Sequence, residues 1–287
     1  MSEGAPVWAH FLFVYSLKPV VGLLLSARRG SALSFLCMRD GLSRLAISAQ
    51  TESLKCMAEA QIKSKERVAE RGEVFTAERE VKAMCDLVKD ETERIDSRFL
   101  EPACGDGNFL AEILRRKLGV VTRKYRKSAY DWERNSLLAL GSIYGVDIQA
   151  DNCEQCQERL FGIWDAEYRA ICKKELSDDT KVSAKFILSR NIVCGNALTL
   201  HCVDEKGEDT ASPIVFSEWT IPFNDARMQR KDYTMAELLE ASEVTETIER
   251  TGQLDLFAND KGEVEPTFLK QYIAHYRRIS EGGECHE

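Results

Sequence analysis

Hydrophobic positions in this chain switch between two periods, and the switches outline its elements. From Glu78 to Val88, Val81, Met84, Cys85 and Val88 share one helical face. Thr76 stands where an N-cap belongs, with Arg79 or Glu80 placed to reach back. Phe99-Leu100 ends a strand pattern, and Leu110 to Lys117 is again helical. The spacing predicts a helix over Asp131–Leu140, then a strand over Ile143–Ile148 that ends in an acid. A long helix follows through Tyr168, with Cys153, Cys156, Leu160, Trp164, Tyr168 and Ile171 on one stripe. Lys185–Leu188 and Asn191–Asn196 predict two further strands. Strands alternating with helices predict an α/β fold with a Rossmann-like, doubly wound, mainly parallel sheet.

Beyond His201 the pattern weakens. Ile214–Phe216 predicts a strand running into 217–223, and Thr234–Ala241 a helix with Thr234 and Glu237 as a capping box. Residues 243–261 are polar and charged, the composition of a segment without a core. Pro266 opens a last predicted helix striped by Phe268, Leu269, Tyr272, Ile273 and Tyr276, which makes a helical C-terminal tail. Residues 1–56 stand apart. Val7–Ala27 is mostly apolar, but Lys18-Pro19 interrupts it and no basic segment leads into it, which argues against a signal peptide or membrane span. A start codon assigned too far upstream is the leading explanation, and a membrane anchor is its competitor. The expected plan is an extension over 1–56, a core over 57–201, and a degenerate region with an acidic tail over 202–287.

Composition adds limits. The 287 residues carry a net charge of -8, which disfavours a protein that grips nucleic acid unaided. Against that, seven Lys/Arg and no acid lie between Arg115 and Lys127, read as a solvated loop or a DNA-contacting one. The ten cysteines sit in a chain of cytoplasmic character and do not suggest a disulfide framework. Cys153 and Cys156 form one CxxC without a matching second pair, so they read as core residues and no metal is expected.

The strongest chemical signal is Glu101-Pro102-Ala103-Cys104-Gly105-Asp106-Gly107-Asn108-Phe109, a turn between a strand and a helix. Its glycines let backbone approach a ligand, while Glu101 and Asp106 favour a cationic or hydroxyl-bearing one over a bare phosphate. S-adenosylmethionine carries both an ammonium and a ribose. A dinucleotide oxidoreductase fits poorly, because Leu110 stands where GxGxxG needs its third glycine. Asp147 and Asn196 end the next predicted strands, so three signals fall on the sheet edge where ligands bind.

Phe99–Phe109, with 72–77, 144–148 and 194–198, resembles the adenine-specific (N6) DNA methyltransferases of restriction–modification systems, over roughly residues 65–200. The resemblance implies a partial methyltransferase fold, S-adenosylmethionine as cofactor and DNA as substrate. It implies that Phe75 and Thr76 touch the methionine end. Glu101 and Gly105 would line the methionine part, with Ala103, Asp106 and Gly107 in the same cofactor-binding loop. Asp147 would hold the ribose, Ile148 would pack on adenine, and Asn196 would reach its edge. The family's catalytic Asn/Asp/Ser-Pro-Pro-aromatic segment is missing, since the chain contains no Pro-Pro. Thr220-Ile221-Pro222-Phe223 is the nearest candidate and lacks the side chain that would polarise the amine of a flipped base. The implied protein binds the cofactor but needs a partner chain to methylate DNA. The alternative is a non-catalytic adaptor. Gln253-Leu254-Asp255-Leu256-Phe257 resembles the pentapeptide by which bacterial replication and repair proteins dock on the DNA sliding clamp.

Overall fold

The structure is a computed structural model that describes residues 12–13, 76–223, 225–240, 267–282 and 284–286. The chain divides into two compact units, Met1–Tyr15 with Cys85–Glu287, and Ser16–Met84. In the second unit the described residues begin at Thr76 and run into helix α1 (Glu78–Leu87). The amide of Val81 bonds the carbonyl of Ala77, so Ala77, not Thr76, precedes the first helical residue.

Among the described residues, the first unit is built on two sheets. Strands β1 (Leu12–Phe13), β2 (Phe99–Glu101), β3 (Ile143–Asp147), β4 (Ile192–Asn196), β5 (His201–Val203) and β6 (Asp209–Pro213) form one sheet in that order. The pairs from β1 to β4 are parallel, and β5 and β6 are antiparallel. Helix α2 (Lys89–Thr92) precedes β2, and α3 (Asn108–Tyr125) and α4 (Ala129–Gly141) link β2 to β3. Helices α5 (Ala150–Cys172) and α6 (Asp178–Asn191) link β3 to β4. Such crossovers are what parallel neighbours require. The second sheet is antiparallel: β7 (Val215–Thr220), β8 (Arg227–Thr234), β9 (Lys270–His275) and β10 (Glu284–His286). The molecule is thus mixed α/β with a mostly parallel main sheet.

A central parallel strand is buried on both faces, and Ile143-Tyr144-Gly145-Val146 accordingly lacks polar alternation. Leu100, Tyr144 and Val146 point to one face and pack with Ile214, Phe216, Tyr233, Met235 and Leu238. Gly145 points to the other, where an added Cβ would lie 3.0 Å from Leu110 of α3. Helices α3 and α5 pack along that side. The opposite face carries the β7–β8 hairpin and the short helix 235–240, where double winding would place a full helical layer. The capping box is present: Thr234 N–H donates to Glu237 Oε2 at 2.9 Å and Glu237 N–H to Thr234 Oγ1 at 3.2 Å.

Several expectations are corrected. The basic stretch from Arg115 is no loop; α3 continues to Tyr125 because Leu118, Val120 and Val121 extend its buried face. Residues 185–188 are helical, since Thr180, Ser183, Ala184, Ile187, Leu188 and Asn191 are buried at helical spacing along α6. Among the described residues, the last predicted helix is instead a strand and a short 3-10 turn (Ile279–Glu281). Lys270–His275 is strand β9, paired with β8 from Asp232↔Lys270 to Arg227↔His275. Its aromatic and branched residues serve either period, and the open edge of β8 supplied the hydrogen bonds that decided it. The cysteine stripe holds, with Cys153, Cys156, Leu160, Trp164 and Tyr168 buried, but it ends on Cys172 and not Ile171.

The amino ends of the parallel strands are closed by polar groups. Arg98, just before β2, pairs with Glu218 of β7, both buried. Asn191 joins the amide of Ser217, through its Oδ1 at 3.1 Å, to the carbonyl of Gly141, through its Nδ2 at 3.1 Å. Lys117, wholly buried in α3, donates to the carbonyls of Ile95 and Ser97 and to Ser142 Oγ. Burial pulls its ammonium down to about 7. In α4, about two turns before Gly141, buried Glu133 accepts from Tyr168 and Thr180 through Oε1, and from Tyr276 and Arg277 through Oε2. Among the described residues, no helix is long and apolar enough to cross a membrane.

Candidate cofactor-binding site

The glycine loop forms because β2 runs into a left-handed backbone that favours glycine. Gly105 and Gly107 both have positive φ, 54° and 84°. Gly107 also lies against α5, where an added Cβ would sit 2.5 Å from Cys156 Sγ. Cys156 is therefore the seat of the loop as well as a core residue. Cys104 N–H bonds the Val146 carbonyl at 2.9 Å, and Gly107 N–H bonds the Cys104 carbonyl at 2.9 Å. These bonds tie the loop to the neighbouring strand and start α3 directly at Asn108.

Asp147 closes the site from β3. Its Oδ2 accepts from the amide of Gly105 at 2.9 Å. Its Oδ1 accepts from the amide of Gln149 at 2.8 Å and from Asn152 Nδ2 at 3.1 Å. A carboxylate oxygen takes about two hydrogen bonds, so Oδ1 is filled and Oδ2 keeps one acceptor position. Ile148 follows with 43% of its surface exposed, and Leu198, on the turn after β4, is 87% exposed. Asn196 spends its side chain locally: Oδ1 accepts from the amide of Leu198 at 3.0 Å, and Nδ2 donates to Asp209 at 3.1 Å. Glu101 is only 4% exposed, so its carboxylate lies below the loop and not at its surface. Ala103 is exposed.

Glu101, Ala103, Gly105, Asp106, Gly107, Asp147, Ile148 and Asn196 thus converge on the carboxyl ends of three adjacent parallel strands, in the register Glu101↔Gly145 and Asp147↔Cys194. Thr76 belongs to the other unit, and Phe75 and Gln253–Phe257 lie outside the described residues. Thr220, Pro222 and Phe223 do not join the site. They follow Glu218, paired with Arg98, and Trp219, which fills the space beside Gly141 at the start of β3. They therefore leave the amino edge of the sheet, opposite the glycine loop. The ring of Phe223 is covered by the Arg227 guanidinium at 4.1 Å, and Thr220 Oγ1 bonds Gln229 Oε1 at 3.2 Å.

The thiols near the loop are poor nucleophiles. A hydrogen bond with Cys156, and then burial, raises Cys104 well above an ordinary thiol. Burial raises Cys153 and Cys194 as well. Among the described residues, no group of three or more His, Cys, Asp or Glu is placed to hold a metal ion. One site residue escaped the sequence: Arg159 of α5, whose Nη2 donates to Asp106 Oδ2 at 2.6 Å and whose Nη1 donates to Asn108 Oδ1. It lies 53 and 51 positions from its partners, and nothing in the periodicity links them.

The arrangement suits a ligand with a hydroxyl-bearing ribose and a flat apolar ring. An acceptor position remains on Asp147 Oδ2, apolar surface is exposed at Ile148, and the two glycines keep side chains out of the loop. No protein family, curated protein or solved structure matches this chain.

Proposed function

We propose that this protein binds S-adenosylmethionine at the carboxyl edge of its main sheet and is related in function to site-specific DNA adenine-N6 methyltransferases of restriction–modification systems. One observation carries the reading. The glycine loop, Asp147 and Ile148, separated by some forty residues in the sequence, meet at one edge with acceptor and apolar surface facing outward. Asp147 would hold the ribose through Oδ2, Ile148 would pack on the adenine, and the backbone around Gly105 and Gly107 would approach the methionine portion. When bound, the cofactor would supply an electrophilic methyl group. The chain itself contributes binding and orientation. The rest of the reading, including a cytoplasmic location, rests on the sequence resemblance to the methyltransferase family.

A second reading is favoured by the position of Thr220, Pro222 and Phe223 on the opposite edge. With no such segment at the cofactor edge among the described residues, the chain serves as a cofactor-binding subunit that needs a partner to methylate DNA, or as an adaptor that docks on a sliding clamp through Gln253–Phe257. Calorimetry with S-adenosylmethionine tests the cofactor. Binding by the wild type, abolished in Gly105→Arg, is expected, and absence of binding by the wild type overturns the reading. DNA methylation by the purified chain alone would remove the second reading.

A further inference from the structure

Residues on both sides of Gly107 are held by a single guanidinium. Gly107 is the N-cap of α3 and has no side chain with which to cap it. Helix ends need such a partner, because their first amides lack one within the helix. Here the fixing groups come from α5. Cys156 leaves room only for a hydrogen at Gly107, and Arg159, one turn later, spans Asp106 and Asn108. The carboxylate of Asp106 is largely buried, with 15% of its side chain exposed, and Arg159 is 36% exposed. A charge-assisted, two-pronged contact to groups held this way outweighs an ordinary surface ion pair.

We infer that Arg159 is a positioning residue for the glycine loop: it latches Asp106 and Asn108 across Gly107 and so fixes the backbone that faces the cofactor edge. Its consequence for the cofactor rests on the proposed function; the latch itself does not. Without Arg159, Asp106 is left as a charged, largely buried group at a glycine-rich turn. The loop then samples open states, and a ligand bound there loses affinity by the fraction of time the loop is open.

The test uses the full chain and two measurements. Hydrogen exchange without ligand follows the amides of Gly105, Gly107 and Ala111, each bonded within or beside the loop. Arg159→Gln is expected to speed their exchange about tenfold while leaving β3 amides unchanged, and Arg159→Lys to recover part of the protection, since it restores the charge but not the fork. Calorimetry with S-adenosylmethionine is expected to show binding weakened in Arg159→Gln by the factor by which the closed fraction of the loop falls, with Asp106→Asn adding little in that background. Unchanged loop exchange in Arg159→Gln overturns the inference, as does acceleration spread evenly over the sheet. If the wild type binds no S-adenosylmethionine but loop exchange responds as expected, the latch stands and the cofactor reading falls.

Discussion

The two edges of the main sheet treat their polar groups in opposite ways. At the amino edge, and in the helices packed beyond it, charges are buried and filled by the protein: Arg98 with Glu218, Lys117 with two carbonyls and a hydroxyl, Glu133 with two tyrosines, a threonine and an arginine. At the carboxyl edge, Asp147 keeps an acceptor position, Ile148 and Leu198 are exposed, and two glycines hold left-handed turns without side chains. One edge is closed by the protein's own groups, and the other leaves acceptor and apolar surface exposed. Buried charge contributes to a fold only when every partner is present, whereas a binding edge must leave something unfilled.

The largest expected effect falls on the closed side. Glu133→Ala removes the acceptor shared by Tyr168, Thr180, Tyr276 and Arg277, and is expected to cost about 3 kcal/mol. Urea denaturation measures it, and a loss under about 1 kcal/mol would mean that the network is not the anchor its geometry describes. Next comes a pH effect at Lys117. Its ammonium titrates near 7 in the folded chain and near 10.5 when unfolded, so the unfolded state binds more protons between these values. Native stability is therefore lowest around and below pH 7 on this account and rises with pH. From pH 7 to 9 the gain is about 2 kcal/mol relative to Lys117→Met, which has no such group. The buried thiols, whose values are raised, act in the opposite sense as the pH approaches and passes 9, equally in both proteins. Equal slopes for the two proteins in that window would remove the argument. The smallest effect is expected at Thr220 and Phe223: the double change Thr220→Val, Phe223→Ala leaves S-adenosylmethionine affinity within about twofold, because both lie at the far edge. A loss of tenfold or more would collapse the contrast between the edges.

Much of the open edge was legible in the sequence. Strand ends at Glu101, Asp147 and Asn196 follow from short apolar runs stopped by acid, glycine or amide, and two glycines permit the left-handed backbone that a tight strand-to-helix turn needs. The closed edge was not legible. Lys117 sits within a run of basic residues that looks solvated, and only the packing of α3 against the starts of β2 and β3 takes it out of water. Glu133 lies in an ordinary polar stretch, and its partners are 35 to 144 positions away. Arg159 likewise reads as a surface charge until α5 turns it onto the loop.

The glycine loop and the strand ends on either side of it were therefore determined locally, by backbone freedom and by hydrophobic runs that fit one period alone. The C-terminal segment fits two periods, so local preference left it open and the free edge of β8 made it a strand. The place of Thr220–Phe223 was beyond any local rule. The sequence puts that segment after a strand, as the methyltransferase resemblance requires. Only the pairing of Glu218 with Arg98 and the seating of Trp219 beside Gly141 carry it to the edge away from the loop. Distance along the chain does not encode which end of a sheet a strand leaves from; burial of its neighbours does.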